Sequence, residues 1–422
     1  MKAVITQAKL SGTVRAIASK SQAQRLLICS ALSDAPTFIK CADTSADIEA
    51  TVGCLNALGA RIERSGEGFT VNPLSLEQIY KGAYLYCSES GATLRFMLPI
   101  ACALATDASF MASGRLPQRP LSPLYEELIA HGCSLSKQGQ MPLNCTGKLT
   151  GGQYQLAGDV SSQFVSGLLL ALSLLDSDSE LKLSGIVESQ PYIDLTVAAL
   201  KLFGITIEIE DNLYIVRGRQ RYCSPSKVVV EGDWSNAAFW LCAAALSETP
   251  ITCTNINKDS TQGDKAVVEL LKDFGADVSF ANDTVTVSRG KLQAIEIDAK
   301  NIPDLVPALA VVACAAQGKT VIYNARRLRL KESDRLKTVA DTLSLLGAAV
   351  SETADGLIID GGKELRGGTV SCYGDHRIAM MAAIAAVLSK QKLIIEDAEA
   401  VGKSYPDFFK DFSLLGGIVE LK

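Results

Sequence analysis

The sequence predicts an α/β (α+β) chain of two similar domains, each built from three repeats of a βαβαββ unit with buried central helices. Three observations carry this prediction. A pattern of apolar helix end, Gly and strand-like run recurs six times along the chain. A helix rich in small apolar residues recurs at the same spacing. And 422 residues exceed what a single hydrophobic core ordinarily serves.

The glycines of the first pattern are Gly59, Gly132, Gly204, Gly275, Gly347 and Gly416, roughly 70 residues apart. Leu55, Leu128, Leu200, Leu271, Leu343 and Phe412 stand four residues before them and close an apolar stretch. A helix commonly ends on a left-handed residue, and Gly adopts that conformation without steric cost. The runs that follow, such as Ile205-Thr206-Ile207, lead to expected hairpin turns at Glu67-Gly68, Asp211-Asn212, Asn282-Asp283 and Asp355-Gly356.

The second pattern places helices over residues 21–33, 91–105, 161–175, 234–247, 304–316 and 375–389. They are apolar nearly all round, so each belongs in the middle of a domain. Three units per domain put the main crossover at 228–233, after Pro225. The expected domains are 15–228 and 1–14 with 229–422, with hinge crossovers near 14 and 229. TIM barrels and doubly wound sheets use shorter βα units and do not fit.

Composition narrows the function. A net charge of −5 argues against a nucleic-acid surface, so any anionic ligand must meet a local concentration of Lys and Arg. The twelve cysteines form no C-x-x-C pair and lie mostly in apolar stretches, which reads as buried, reduced thiols of a cytoplasmic protein. Two histidines leave no His-based metal site. The N-terminus lacks a signal-peptide apolar run, and the apolar runs near 167–175 and 305–316 fall short of the roughly 18 residues of a membrane span.

Six buried helices present six N-termini, each with free N–H groups and partial positive charge. Facing domains would bring these ends to one cleft. Ser19-Lys20-Ser21 with Arg25, Ser90-Gly91 with Arg95, Ser161-Ser162-Gln163, Asp233 with Ser235, Asp304, and Asp375-His376-Arg377 open them in turn. Ser235 or Asp375 taken alone reads as an ordinary N-cap. Lys20, Arg25, Arg95 and Arg377 do not, because the helix dipole disfavours cations in a first turn; a bound anion supplies the reason. Two more basic clusters are Arg115–Pro120 and 326–335. In the latter, Arg326 and Arg329 read as a solvated face, whereas Lys331-Glu332-Ser333-Asp334-Arg335 mixes charges suited to binding phosphate and moving protons. Lys403 follows Gly402, where backbone can approach a ligand. His131 reads as a helix-end residue and Trp234 and Trp240 as core, while His376 beside Arg377 is a functional candidate.

Taken in order, these motifs carry a family likeness. Ser19-Lys20-Ser21-x-x-x-Arg25, Ser90-Gly91-Ala92-Thr93-Leu94-Arg95, Gln118-Arg119-Pro120, Val160-Ser161-Ser162-Gln163-Phe164, Pro191-Tyr192-Ile193-Asp194, Ile302-Pro303-Asp304, Lys331-Glu332-Ser333-Asp334-Arg335 and Asp375-His376-Arg377 resemble the successive motifs of the EPSP synthase (3-phosphoshikimate 1-carboxyvinyltransferase) family of enolpyruvyl transferases. Any one motif is weak, but eight in family order from Lys20 to Lys403 are specific. The resemblance implies an inside-out barrel of two domains with three repeats each, in agreement with the sixfold pattern.

It further implies two small-molecule substrates, shikimate 3-phosphate and phosphoenolpyruvate, which together bring roughly five to six negative charges. Lys20, Ser21, Arg25, Ser161, Ser162, Gln163, Ser189, Tyr192, Asp304 and Lys331 are implied to hold shikimate 3-phosphate. Lys20, Gly91, Arg119, Gln163, Arg335, Arg377 and Lys403 are implied to hold phosphoenolpyruvate. The implied reaction adds the shikimate 5-hydroxyl to C2 of phosphoenolpyruvate while the methylene carbon is protonated, then expels phosphate from the tetrahedral adduct. It feeds chorismate and aromatic amino acid biosynthesis. Asp304 is the candidate acceptor of the hydroxyl proton. Lys20 and Glu332 are both candidates for the remaining proton transfers, and Arg119, Arg335 and Arg377 stabilise charge. No cofactor or metal is called for, and a monomer that closes around its ligands, without nucleic-acid or membrane partners, is expected.

Three positions depart from the family pattern: Glu89 before Ser90-Gly91, Ala92 in place of Thr, and Arg327 in place of Asn. Three rival readings are weaker. The related transfer to UDP-N-acetylglucosamine uses a loop cysteine, and 113–119 has none. A silent scaffold would not keep Lys20, Asp304, Glu332 and Arg377 together. A phosphoryl-transfer enzyme would want a nucleotide loop, and G-x-x-x-x-G-K-[ST] does not occur.

Overall fold

The computed structural model describes residues 1–75 and 80–422. They form two compact units, a first of Ala18–Val230 and a second of Met1–Ile17 with Glu231–Lys422. Each unit has its own apolar core. The unit boundaries fall slightly later than the sequence places them, because strand pairing decides them. Gly12–Arg15 lies parallel to Ile251–Thr254, which draws the N-terminal segment into the second unit. Lys227–Val229 lies parallel to Thr37–Lys40, which keeps it in the first.

The described residues contain six four-stranded sheets, three in each unit. All six repeat one pattern of one parallel pair followed by two antiparallel pairs. In the first unit, Lys227–Val229, Thr37–Lys40, Gly68–Asn72 and Arg61–Ser65 stand in that order. In the second, Gly368–Ser371, Leu393–Glu396, Ala3–Gln7 and Ile418–Leu421 do the same, so the two chain ends meet in one sheet. Hairpins turn at Asp211-Asn212 and Asn282-Asp283 as expected. The first hairpin differs by one residue: its turn is Gly66-Glu67, because Gly68 pairs with Ser65 as the first residue of the returning strand.

Six helices fill the two cores: Lys20–Ala31, Gly91–Leu104 and Ser162–Leu172 in the first unit, and Trp234–Leu246, Val306–Ala315 and His376–Ala385 in the second. Trp234–Leu246 is buried at every position, which a sequence apolar on all faces requires. Trp234 and Trp240 are both core residues, the latter stacked on Phe408 with ring centroids 4.6 Å apart. Burying each large side chain in such a helix stabilises the fold by about 1.5–3 kcal/mol before entropic costs. The outer helices end as the repeat predicts. Gly275, at φ +97°, is left-handed, and an added Cβ there would meet the Lys291 carbonyl at 2.5 Å. The other five repeat glycines also have positive φ. No helix among the described residues is long and apolar enough to cross a membrane.

Candidate active site

In the second unit, the starts of three elements converge on Arg335. Asp304 sits in the short 3-10 turn Pro303–Leu305, just ahead of the helix Val306–Ala315. Arg335 begins the helix Arg335–Leu345, whose N-cap is Asp334. Asp375 caps the helix His376–Ala385 by accepting from the Arg377 amide at 3.0 Å. The Arg335 guanidinium, with its side chain 2% exposed, donates to three carboxylates. Nη1 reaches Asp304 Oδ1 at 2.7 Å, Nη2 reaches Glu332 Oε2 at 2.7 Å, and Nε reaches Asp375 Oδ2 at 2.8 Å. Nη2 also reaches Asp375 Oδ1 at 3.2 Å, so that pair is bidentate.

Asp304 gathers further cations. Arg377 Nη2 lies 3.3 Å from its Oδ2, and Lys331 Nζ lies 3.8 Å from its Oδ1. Arg377 Nη1 also donates to the Asp304 and Ser235 carbonyls at 3.3 and 3.5 Å. Burial works to raise the Asp304 pKa, but Arg377, Lys331 and Arg335 outweigh it and hold the carboxyl well below the usual range. Burial is the main influence on Lys331 and lowers its ammonium to about 8. Burial also acts to lower Arg335, yet Asp375, Glu332 and Asp304 leave it raised overall. Lys403 closes the 3-10 turn Ala398–Lys403 and is buried, and its neighbour Ser404 donates to Asn236 Oδ1 at 3.4 Å.

The first unit joins the other candidates. Lys20 Nζ donates to Asp47 Oδ2 at 2.9 Å. Arg25 is buried and spends its donors on protein oxygens: Thr196 Oγ1 at 2.7 Å, the Ser21 carbonyl at 2.7 Å, the Tyr192 carbonyl at 2.9 Å and Ser166 Oγ at 3.2 Å. Desolvation lowers its pKa to about 10. Ser189, left-handed at φ 56°, accepts from the Tyr192 amide at 3.0 Å and so shapes the turn that Arg25 holds. Arg95 Nη1 donates to Gln163 Oε1 at 2.8 Å, with its guanidinium 5.4 Å from the Phe164 ring centre. Ser161 caps the helix Ser162–Leu172 by accepting from the Gln163 amide at 3.3 Å, and Ser162 is buried beside it. At Gly91 a Cβ would stand 2.8 Å from Arg119 Nη1 and 2.9 Å from Arg95 Nη1, so the missing side chain makes room for two guanidinium groups.

Within each unit, then, the sequence-predicted residues are neighbours. Several expectations change. First-turn cations do not depend on a bound anion alone: Lys20, Arg25, Arg95 and Arg377 already have protein oxygens as partners. Ser235 is not an N-cap. Asp233 caps that helix by accepting from the Asn236 amide at 2.8 Å, and Ser235 Oγ instead donates to Asp264 Oδ2. Arg329 is not a merely solvated charge, since it bonds Asp334 at 3.0 Å, Glu352 at 3.2 Å and the Thr353 carbonyl at 2.6 Å. Glu89 sits against Gly114, where a Cβ would come within 2.3 Å of its Oε1. Sequence reasoning missed Asp47 and Asp375 as partners of Lys20 and Arg335. Their only local signal is an acid in the first turn or at the cap of a neighbouring helix, which is common for structural reasons. Among the described residues no group of three His, Cys, Asp or Glu side chains is placed to hold a metal ion.

Known proteins resemble this chain in sequence and in fold. Residues 4–412 match the family model described as EPSP synthase (3-phosphoshikimate 1-carboxyvinyltransferase). A curated 3-phosphoshikimate 1-carboxyvinyltransferase of Clostridium kluyveri is 42% identical over 99% of this chain and 97% of its own, and one of Clostridium perfringens is 40% identical over 99% of both. The solved EPSP synthase of Acinetobacter baumannii superposes with a TM-score of 0.82 at 25% identity, covering 100% of this chain and 99% of that one. The enolpyruvyl transferase NikO of Streptomyces tendae, at 20% identity and a TM-score of 0.80 over 99% and 98% of the two chains, shares the fold. With a family model spanning nearly all of the chain and relatives at this identity, the chain belongs to the EPSP synthase family of enolpyruvyl transferases.

Proposed function

We propose that the protein transfers the enolpyruvyl group of phosphoenolpyruvate to the 5-hydroxyl of shikimate 3-phosphate, releasing phosphate, on the route to chorismate and the aromatic amino acids. The observation that carries the reading is the state of Asp304: a partly buried carboxylate ringed by Lys331, Arg335 and Arg377, all three assigned to substrate anions. Lys20, Ser21, Arg25, Ser161, Ser162, Gln163, Ser189, Tyr192, Asp304 and Lys331 hold shikimate 3-phosphate. Gly91, Arg119, Arg335, Arg377 and Lys403, with Lys20 and Gln163, hold phosphoenolpyruvate.

The chemistry follows from competition for those cations. As a carboxylate so stabilised by cations, Asp304 is a weak base. When a substrate carboxylate and phosphate draw Arg335, Arg377 and Lys331 to themselves, the cationic field on Asp304 weakens and its basicity recovers. The 5-hydroxyl oxygen then bonds to C2 and its proton passes to Asp304, while Lys20 or Glu332 protonates the methylene carbon. In the second step the new methyl group returns a proton to the Lys20 or Glu332 group that supplied one, the C–H electron pair re-forms the double bond, and the C2–O bond to phosphate breaks with its electrons leaving on phosphate. Arginines already oriented by carboxylates stabilise the charge that develops on the departing phosphate. The compact units act as two domains of three repeats with hinges at the chain crossings, in a cytoplasmic monomer that uses no cofactor.

Phosphate release tests this directly. It should require phosphoenolpyruvate and shikimate 3-phosphate together, and UDP-N-acetylglucosamine should not replace the latter. Release from phosphoenolpyruvate alone, or with the nucleotide sugar as acceptor, would overturn the reading.

A further inference from the structure

Gln24 stands one helical turn after Lys20 in the helix Lys20–Ala31 and is 1% exposed. Its Nε2 lies within reach of four oxygens belonging to two other helix starts: the Asp47 carbonyl at 3.1 Å, Thr51 Oγ1 at 2.9 Å, Ser90 Oγ at 3.4 Å and Thr93 Oγ1 at 3.2 Å. These oxygens are linked among themselves. Thr51 and Thr93 hydroxyls are 2.8 Å apart, Thr93 donates to Ser90 Oγ at 2.8 Å, and Thr51 donates to the Asp47 carbonyl at 3.1 Å. Ser90 caps the helix that begins at Gly91, and Asp47 lies in the first turn of Ala46–Ala57. Asp47 is also the residue whose carboxylate receives Lys20 Nζ.

One amide thus ties together the starts of three helices that carry Lys20, its counter-ion and Gly91. Packing alone does not call for an amide. The hydroxyls already bond one another and the Asp47 carbonyl keeps a donor in Thr51, so an apolar side chain of similar size would leave no carbonyl stranded. What the amide adds is direction, strengthened by the low dielectric around it.

We propose that Gln24 is a positioning residue for enolpyruvyl transfer: by pinning Asp47 to the Ser90–Gly91 helix start, it sets where the Lys20 ammonium points relative to the phosphoenolpyruvate ligands of the first unit. This rests on the enolpyruvyl-transfer reading above. The test uses the full chain with Gln24→Met, and it has two arms. Without substrates, competitive labelling by an amine-reactive ester, quantified by peptide mass spectrometry, should show Lys20 about threefold or more reactive than in the parent chain. Lys331 and Lys403 should be unchanged. With substrates, kcat for phosphate release should fall about tenfold while KM for shikimate 3-phosphate moves far less. Lys20 reactivity and kcat at parental values, or a lowered melting temperature as the sole effect, overturn the proposal. If the parent chain itself releases no phosphate, the enolpyruvyl reading fails, and the labelling arm still decides the role of Gln24. Should Gln24→Met not fold, Gln24→Leu decides in its place: the same rise in Lys20 labelling supports the proposal, and parental labelling overturns it.

Discussion

Arg335 donates through Nη1 to Asp304 Oδ1 at 2.7 Å, so the proposed base and a proposed phosphoenolpyruvate ligand hold each other. Lys331, Arg335 and Arg377 face Asp304, Glu332 and Asp375, and each of these three cations has a carboxylate within 3.8 Å. Arriving anions therefore compete with protein carboxylates for the same donors. This relationship makes Asp304 the first residue to test. Asp304→Asn keeps the shape but removes the proton acceptor, and turnover should fall by about 10²–10⁴. Steady-state phosphate release measures it, and a variant turning over at near the parental rate would remove the assignment.

Asp375 should matter for stability as much as for activity. It is fully buried and bidentate to Arg335. Asp375→Asn leaves a buried guanidinium with Asp304 and Glu332 as its remaining carboxylates. The loss should be on the order of 3 kcal/mol, at the lower end for a broken buried pair. Urea unfolding followed by circular dichroism reads the shift directly.

Lys331 predicts an alkaline limb. Its folded pKa is lowered to about 8, chiefly by burial, against 10.5 ordinarily. Below about pH 8 the partly desolvated ammonium is charged and destabilises the fold. Between about 8 and 10.5 the folded state sheds a proton that the unfolded chain keeps, so this group's contribution to stability becomes more favourable as pH rises. Binding runs the other way, because only the ammonium attracts an anion. KM for shikimate 3-phosphate should rise above about pH 8, and Lys331→Arg should abolish that limb.

Gly91→Ala should separate the two substrates. The added methyl would press on the ends of Arg119 and Arg95, which can move only by leaving their places. KM for phosphoenolpyruvate should rise about tenfold or more, with a smaller change for shikimate 3-phosphate. Equal changes for both would contradict the assignment of Gly91 to the smaller substrate.

Thiol chemistry offers a check on the fold. Cys223 is the one exposed cysteine of the twelve, and burial raises the pKa of Cys242, Cys253 and Cys314. Ellman's reagent should find one fast thiol in the native chain, absent in Cys223→Ser, with the rest reacting on denaturation.

The repeat was legible because its signals are local. A left-handed helix end needs Gly whatever surrounds it, and a helix apolar on every face can only be interior, as Gly275 and Trp234–Leu246 illustrate. Several cationic residues of the site were legible for the same reason, since Lys20, Arg25 and Arg377 stand near helix starts where they are unusual, while Lys331 and Arg335 stood out as part of a compact mixed-charge segment. Which oxygens receive them was not. Lys20 finds Asp47 27 residues away, Arg335 finds Asp375 40 residues away, and Ser235 serves Asp264 rather than its own helix.

Sequence by itself determined the sixfold architecture, the buried helices and the residue types at their starts, because each is dictated by backbone conformation or apolar periodicity over a few turns. Only the tertiary structure decided the partners, and with them the proton affinity of Asp304 and Lys331. Electrostatic fields at a buried group depend on distances between segments far apart in the chain, which no local pattern encodes.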